Sequence, residues 1–384
     1  MARVRTGLEV LAAMGFAPLK GLRVGAICNP TSVDQELHHL ADLLTRAPGV
    51  KLKALFGPEH GVRGEAQDMI GVGEAVDART GVRVFSLYGE RPESLAPTPG
   101  SLAGLDALVF DIQSAGVRFY TFETTMAYGL EAAAKAHIPY YVLDRPNPIT
   151  GVHVEGPMLD ADKTSFVGYL PGEPVRHGMT VGELAKLFNG EKKLGAELVV
   201  VPMQDWNRGD WFDSTDLAWI DPSPNLRSLK AETLYPGLCL LEWVKGLSVG
   251  RGTDAPFEHI GAAFIHGREL ATFLNQRQIP GVRVYPTEFT PAESVSKGVR
   301  IEGVRFELMS REALDSTRLG LEVLVALQKL YPGKVDFASA RKLIGSDDAV
   351  TRIQAAEDPR NIVQSYQDSV AEFVKLRERY LLYK

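Results

Sequence analysis

The feature that most constrains this chain is the alternation of short apolar runs with helical patterns in its first half. Apolar runs of strand length cover residues 22–28, 51–56, 82–87, 105–112, 138–143 and 197–201. Between two of them, Phe122, Met126 and Leu130 recur at the spacing of one helical face. Strands that alternate with helices usually form a parallel sheet, because each helix returns the chain to the same end of the sheet. The pattern predicts an α/β fold with a mainly parallel sheet and helices on both of its faces.

Two helix starts are predicted within this half. Leu37, Leu40 and Leu44 follow one helical face, which indicates a helix that begins after Ser32 as its cap. The segment Thr180-Val181-Gly182-Glu183 is a capping-box pattern, in which each end residue bonds the backbone N–H of the other. It predicts a second helix after residue 180.

The second half has a different pattern. Strands are predicted over residues 260–265, 282–285 and 299–308, a helix over 316–330, and one long C-terminal helix that carries Val363, Tyr366 and Val370 on one face. A chain of 384 residues also exceeds what one hydrophobic core usually serves. We therefore expect a larger domain over residues 1–228 and a smaller α+β domain over residues 229–384.

Composition excludes several classes of protein. The net charge is -6, and the Lys and Arg residues are dispersed among acidic residues, so no nucleic-acid partner is expected. No run of about 18 apolar residues occurs, so no membrane-spanning helix is expected. The chain starts almost directly at its first helix, which predicts a cytoplasmic protein if this N-terminus is native, or a periplasmic or secreted one if an export signal was removed.

The sequence predicts neither a metal nor a cofactor. Cys28 and Cys239 lie in apolar segments and are expected to be buried free thiols, without the ligand spacing of a zinc site. The first strand is not followed by GxGxxG, and the chain contains no GxxxxGK[ST] phosphate loop and no GxSxG elbow. His38 and His39 are expected to be a solvated pair. Carboxylate chemistry is what remains.

Polar side chains follow several of the predicted strands, at the edge where an open parallel sheet binds its ligands. The loop Gly57-Pro58-Glu59-His60-Gly61 follows the second strand, and it presents Glu59 between a rigid proline and a flexible glycine. Asp111 and Asp144 end two later strands, where a buried charge is costly unless it is paired or functional. Glu59 is our first candidate for an acid or a base.

Structural roles are the alternatives at each of these positions. Glu59 could cap a helix or pair with Arg63, and His60 could be a buried structural histidine. Asp111 and Asp144 could cap helices or pair with the nearby arginines Arg118 and Arg145.

Several motifs, taken together and in order, resemble those of bacterial exo-β-N-acetylmuramidases. They span nearly the whole chain, from about residue 7 to residue 383, and are Phe56-Gly57-Pro58-Glu59-His60-Gly61-Val62-Arg63-Gly64, Val109-Phe110-Asp111-Ile112-Gln113, Arg118-Phe119-Tyr120-Thr121, Leu143-Asp144-Arg145-Pro146-Asn147-Pro148, Val154-Glu155-Gly156-Pro157, Arg176-His177-Gly178-Met179-Thr180, Pro222-Ser223-Pro224-Asn225 and Gly250-Arg251-Gly252-Thr253.

The resemblance implies a Rossmann-like N-terminal domain, a smaller C-terminal domain, and a cleft between them that releases N-acetylmuramic acid from the non-reducing end of peptidoglycan fragments. By that resemblance Glu59 is the catalytic acid, with His60 beside it. A second carboxylate is also needed unless the substrate's acetamido group assists. Asp111 is our first choice, with Asp144, Glu155 and Glu242 behind it.

The lactyl carboxylate of N-acetylmuramic acid calls for a cation, which Arg63, Arg118, Arg145 or Arg251 could supply as a bidentate clamp. The full set of residues expected to bind the substrate is Arg63, Gln113, Arg118, Tyr120, Asp144, Arg145, Asn147, Glu155, Asn225, Glu242, Arg251 and Thr253.

Two other functions stay open at this point. The chain could be a non-catalytic protein that holds cell-wall sugars or another anionic ligand in the cleft. It could also be a phosphate-ester hydrolase that uses Asp and Arg groups. The sequence does not predict the oligomeric state or whether the anomeric configuration is retained or inverted.

Overall fold

The computed structural model describes residues 3–64, 75–89 and 92–384. The strands are β1 Arg23–Cys28, β2 Lys51–Gly57, β3 Ala75–Val76, β4 Arg83–Ser86, β5 Ala107–Asp111, β6 Tyr140–Leu143, β7 Glu155–Met158, β8 Pro174–Arg176, β9 Leu198–Val201, β10 His259–Ala262, β11 Val282–Phe289 and β12 Ile301–Leu308. The α-helices are α1 Gly7–Ala13, α2 Leu40–Arg46, α3 Pro99–Leu102, α4 Thr121–Ala136, α5 Val181–Glu191, α6 Leu229–Leu238, α7 Gly267–Gln276, α8 Ser316–Leu330, α9 Arg341–Ile344, α10 Asp347–Gln354, α11 Pro359–Ser365 and α12 Gln367–Arg377.

The large sheet of the described chain has the order β3-β4-β2-β1-β5-β6-β9. Its strands pair in parallel except for the short edge strand β3. Numbered by their order in the chain, the parallel strands follow the sequence 3-2-1-4-5-6, which is the Rossmann order. The predicted α/β fold is confirmed. The order of the strands reverses between β1 and β5, where Ile27 pairs with Phe110 on one side and with Phe56 on the other.

Helices cover both faces of this sheet. Leu8 and Leu11 of α1 and Leu40 of α2 pack with Val24 and Ala26 on one face. On the other face, Ile27, Phe56 and Phe110 pack with side chains of α4 and α5 such as Met126 and Leu184. The alternation of the strand residues between two faces thus produces two separate cores.

The second half adds a small antiparallel sheet of order β10-β12-β11, with α7 packed against it and α8 packed against α7. Helices α6 and α8 cross closely at Gly237 and Gly320, where a Cβ on Gly237 would lie 1.9 Å from the backbone oxygen of Ser316. The core between the large sheet and α4 and α5 continues through α6 and α8 to the small sheet. One continuous core therefore crosses residue 228, and the division into two domains stays a prediction.

Local predictions were accurate where the pattern was regular. The helix predicted over residues 316–330 has those bounds, and Thr180 and Glu183 form both bonds of the capping box. The first predicted helix was wrong at its start, because it begins only at Leu40, with the buried His39 ring accepting a bond from the Ala41 N–H. Ser32 instead bonds the backbone oxygen of Asp111. The prediction of a solvated pair was therefore wrong for His39.

The C-terminal helix was predicted as one element and is divided into α11 and α12 at Tyr366. In the described part of the chain, none of the helices has the length and apolar character needed to cross a membrane.

Candidate active site

A tight loop after β2 positions Glu59. The strand ends at Gly57, and the Gly61 N–H donates to the Pro58 oxygen at 2.9 Å, which closes a turn around Glu59. His60 and Gly61 both have a positive φ, of 73° and 78°. Such a conformation is unusual for histidine, and it turns the chain back sharply, so that Glu59 projects from the turn.

Two hydroxyl groups hold the Glu59 carboxylate. Thr121 Oγ1 donates to Glu59 Oε2 at 3.2 Å, and the Tyr88 hydroxyl donates a second hydrogen bond. Burial and the negative charge of Glu59 raise the pKa of Tyr88, which therefore stays a donor. Thr121 is the first residue of α4, where the helix dipole favours a negative charge.

Glu59 lines a cleft with an empty volume of about 960 Å³, counting the part that is open to solvent. The other residues of its wall come from both halves of the chain: His60, Tyr88, Phe119, Tyr120, Thr121, Phe122, Phe166, Val167, Ser223, Asn225, Leu226, Tyr235, Cys239, Glu242, Trp243, Arg251, Phe257 and Leu343. Several of these lining residues are buried and apolar, among them Phe119, Leu226 and Phe257. The cleft therefore joins polar groups to an apolar inner surface.

Glu242 supplies a second carboxylate to the same cleft. Arg251 Nη1 bonds Glu242 Oε1, and the Cys239 thiol donates to Glu242 Oε2 at 3.3 Å. Burial, with a smaller contribution from the negative charge of Glu59, raises the pKa of Glu242 to about 7, although the bond from Cys239 acts in the opposite direction. The contact with the guanidinium group of Arg251 also favours the ionised form. Glu242 can thus exchange a proton near neutral pH.

Cys239 belongs to a chain of donors behind Glu242. The Tyr235 hydroxyl donates to the Cys239 sulfur, and burial raises the pKa of this thiol. The thiol is therefore a donor to Glu242 and not a nucleophile.

The Tyr120 hydroxyl is a further polar group in the wall of the cleft. It is buried and has no hydrogen-bond partner among the described residues. Its ring packs edge-on against Phe122 and Tyr235, with centroids 5.0 and 6.1 Å away. A rigid ring with an unused hydroxyl is well suited to bind a polar ligand.

The structure brings six of the candidate residues together in this cleft. They are Glu59, His60, Tyr120, Asn225, Glu242 and Arg251.

Asp111 was our first choice for the second carboxylate, and the structure does not bring it into the cleft. It is fully buried, and Arg145 holds both of its oxygens, through Nε at 2.5 Å and Nη2 at 2.9 Å. The same arginine donates to the Val33 oxygen. This ion pair lies at the carboxyl ends of β5 and β6, and Arg145 lines a small cavity together with Thr31 and Gln113, which is separate from the cleft.

Asp144, Gln113 and Asn147 are likewise occupied by the protein itself. Asp144 accepts bonds from Thr180 Oγ1, the Gly182 N–H and the Tyr383 hydroxyl, and burial raises its pKa to about 7. Gln113 donates to two backbone oxygens, and Asn147 bonds the backbone at Met179 and Ile149. Each of these side chains fixes a loop at a strand end.

Four other candidates also lie outside the wall of the cleft. Arg63 pairs with Asp42 and Asp77, and Glu155 pairs with Arg176. Arg118 is buried, donates to the backbone oxygens of residues 343 and 344, and has its pKa lowered to about 10 by burial. Thr253 bonds the Gly250 oxygen and His259.

Reasoning from the sequence missed several residues of the cleft. Tyr88, Thr121, Phe166, Tyr235 and Trp243 all line it. Trp243 and Thr121 carried a signal, since they directly follow the candidates Glu242 and Tyr120. The others lie within apolar or helical patterns that a core residue would produce equally well.

One buried cluster has the residue types of a metal site. Ligand atoms of Glu123, Glu173 and His177 lie within 4.8 Å of one another. The Met179 N–H donates to His177 Nδ1 at 3.0 Å, so the neutral ring carries its proton on Nε2, which lies 3.1 Å from Glu123 Oε1. Hydrogen bonds join this cluster, because Nε2 faces Glu123 and the Ser114 hydroxyl donates to the same carboxylate.

Several known proteins are similar to this chain over nearly its whole length. The chain is 44% identical to the peptidoglycan β-N-acetylmuramidase NamZ of Bacillus subtilis, over 99% of this chain and 92% of that protein. Two crystal structures of DUF1343 family proteins from Bacteroides fragilis match with TM-scores of 0.92 and 0.81, at 36% and 29% identity, over the whole of this chain and 100% and 99% of theirs. The sequence models of the N-terminal and C-terminal parts of exo-β-N-acetylmuramidase NamZ match residues 24–230 and 233–383, and the chain therefore belongs to the exo-β-N-acetylmuramidase NamZ family.

Proposed function

We propose that this protein is an exo-acting glycoside hydrolase that releases N-acetylmuramic acid from the non-reducing end of peptidoglycan fragments, with Glu59 as its general acid. The observation that carries the proposal is that Glu59 and Glu242, from the two halves of the chain, line one cleft. Most glycoside hydrolases use such a pair of carboxylates. The exo mode of cleavage is supported by the family to which the chain belongs.

Glu59 donates a proton to the glycosidic oxygen as the bond to the anomeric carbon breaks. The hydroxyls of Thr121 and Tyr88 hold its carboxyl group at the edge of the cleft. Glu242 is the second carboxylate in this proposal and takes the place that we first gave to Asp111. Its negative charge, held by Arg251 and Cys239, stabilises the positive charge that develops on the sugar ring.

Arg251 is the cation that we assign to the lactyl carboxylate. It is the one of the four arginine candidates that lines the cleft, since Arg63, Arg118 and Arg145 bind groups elsewhere in the protein. The buried hydroxyl of Tyr120 supplies a further hydrogen bond to the sugar. We also propose residues 1–228 and 229–384 as the two domains, which is supported by the two family models that meet between residues 230 and 233.

The test is the hydrolysis of a chromogenic N-acetylmuramic acid glycoside by the wild type and by Glu59→Gln. We expect the substitution to lower kcat by about a hundredfold to ten-thousandfold, because it removes the proton donor and keeps the shape of the side chain. Glu372→Gln, at an exposed position of α12, is the matched control.

A wild-type protein that binds the glycoside tightly and never cleaves it would instead support a binding protein. Turnover by Glu59→Gln at the rate of the wild type would exclude Glu59 as the acid.

A further inference from the structure

The cleft adjoins a second cavity at Glu59. This second cavity, with an empty volume of about 260 Å³, shares Glu59, Tyr88, Thr121 and Phe166 with the cleft. Its remaining wall is formed by Leu87, Leu95, Thr124, Thr125 and Tyr128. Glu59 therefore stands at the junction of two cavities and not at the bottom of one.

A third cavity extends the second along the surface of the protein. It has an empty volume of about 590 Å³ and shares Tyr128 with the second. Its other lining residues are Ala96, Pro97, Pro99, Leu102, Glu131, Ala132, Lys135 and Ala136. We call the second and third cavities together the α4 groove.

The floor of the α4 groove is one face of a single helix. Thr121, Thr125, Tyr128, Ala132 and Lys135 follow one another at intervals of three or four residues along α4. From the first to the last of these residues the helix rises by about 21 Å, at 1.5 Å per residue. The groove is long enough for more than one sugar ring.

The chemistry of the groove suits a carbohydrate. The Thr124 hydroxyl is almost fully buried in its wall and has no hydrogen-bond partner among the described residues. Tyr128 presents a half-buried ring that is fixed edge-on against Tyr169, with centroids 6.0 Å apart. At the far end Glu131 accepts bonds from Tyr169 and Lys135, so the charges there are already paired. An unused hydroxyl beside a rigid aromatic ring offers a sugar both a hydrogen bond and an apolar face.

We propose that the α4 groove binds the leaving-group side of the substrate, namely the glycan chain that follows the scissile bond toward the reducing end. This inference rests on the proposed function. Glu59, the proposed proton donor to the glycosidic oxygen, lines both cavities, so a terminal sugar in the cleft places the rest of the glycan chain on the side of the α4 groove. The α4 groove begins at that point and contacts successive sugars along the helix.

The experiment compares two kinds of substrate. A chromogenic aryl N-acetylmuramide has a small leaving group, whereas a peptide-free tetrasaccharide of alternating N-acetylmuramic acid and N-acetylglucosamine extends along the groove. We expect Tyr128→Ala to lower the ratio of kcat/KM for the tetrasaccharide to kcat/KM for the aryl glycoside by about tenfold, because one aromatic contact is lost. Tyr285→Ala, at an exposed position of β11, is the matched control and should leave the ratio unchanged.

Ala132→Gln is the second variant, and it fills the groove without removing the ring that packs against Tyr169. We expect Ala132→Gln to lower the same ratio. If Tyr128→Ala does not fold, Ala132→Gln alone tests whether the groove binds the glycan. An unchanged ratio in the folded variants would overturn the groove as a binding site. Failure of the wild type to cleave even the aryl glycoside is a different result, and it would overturn the proposed function.

Discussion

Two regions of this protein contain the same kinds of side chain and use them differently. The strand-end cluster consists of Asp111, Gln113, Asp144, Arg145 and Asn147, and the cleft pair consists of Glu59 and Glu242, with Arg251 beside them. Every carboxylate of the strand-end cluster is fully buried and bonded to donors of the protein. The carboxylates of the cleft pair are partly exposed on the wall of a cavity.

The difference shows that an ionisable residue at a strand end is not by itself a sign of chemistry. Asp111 and Arg145 lie at the edge where a Rossmann sheet commonly binds its ligand, and there they form a buried ion pair with each other. A carboxylate that is fully buried and held by a guanidinium group in this way does not reach a substrate. Glu59 and Glu242 keep a surface toward empty space, and this property separates a reacting group from a structural one.

The strongest test of this contrast is Glu242→Gln. If the cleft pair performs the chemistry, kcat for an aryl N-acetylmuramide should fall by about a hundredfold or more, because the developing positive charge loses its stabilising carboxylate. The melting temperature should change little, since Gln keeps the shape of the side chain. Glu372→Gln serves again as the control, and activity equal to that of the wild type would remove Glu242 from the mechanism.

Asp111→Asn tests the other side of the contrast. It leaves the buried Arg145 without its charge partner, which typically costs about 3–5 kcal/mol of the free energy of unfolding. Chemical denaturation measures this loss, and the fraction that stays folded should keep the kcat of the wild type. Asp106→Asn breaks an exposed pair with Arg23 and should change the stability much less. If Asp111→Asn folds and its kcat is strongly reduced, Asp111 has a catalytic role after all.

Arg251→Met tests whether Arg251 binds the lactyl carboxylate of the substrate. Loss of a bidentate bond to the lactyl carboxylate should lower kcat/KM for the N-acetylmuramide by about tenfold to a hundredfold relative to kcat/KM for the N-acetylglucosaminide, which lacks the lactyl group. Arg251→Lys keeps the positive charge but lacks the planar guanidinium group. Its ratio of the two kcat/KM values should lie between those of the wild type and Arg251→Met. Equal losses for both glycosides would mean that Arg251 acts only through Glu242.

The smallest expected effect is a change in how stability depends on pH when Glu173 is replaced. Glu173 is a buried carboxyl group outside both regions. Its Oε1 has no hydrogen-bond partner among the described residues, and burial raises its pKa from 4.5 to about 8. Between those pH values the carboxyl group of Glu173 holds a proton in the folded state and has lost it in the unfolded state. The stabilisation that comes from this proton is therefore full below pH 4.5 and is lost as the pH rises through 8. Melting temperatures of Glu173→Gln between pH 5 and pH 8 should therefore fall less steeply than those of the wild type. Parallel curves would mean that Glu173 does not titrate in this range.

The sequence alone determined the class of fold and most of its elements. Apolar runs and helical faces are local signals, because the side-chain periods of strands and helices are set by the backbone. The α8 helix and the capping box at Thr180 were predicted for this reason. The start of α2 was missed because its cap is a buried histidine, His39, whose role depends on its surroundings.

The tertiary structure decided which of the polar residues meet. Glu59 and Glu242 are far apart in sequence, and they line one cleft only because the second half of the chain packs onto the first through α6 and α8. Asp111 was indistinguishable from Glu59 by its position after an apolar strand. Its pairing with Arg145 depends on the register and spacing of β5 and β6, which no local pattern carries. The sequence thus placed the candidates at one edge of the sheet, and long-range packing separated the reacting carboxylates from the structural ones.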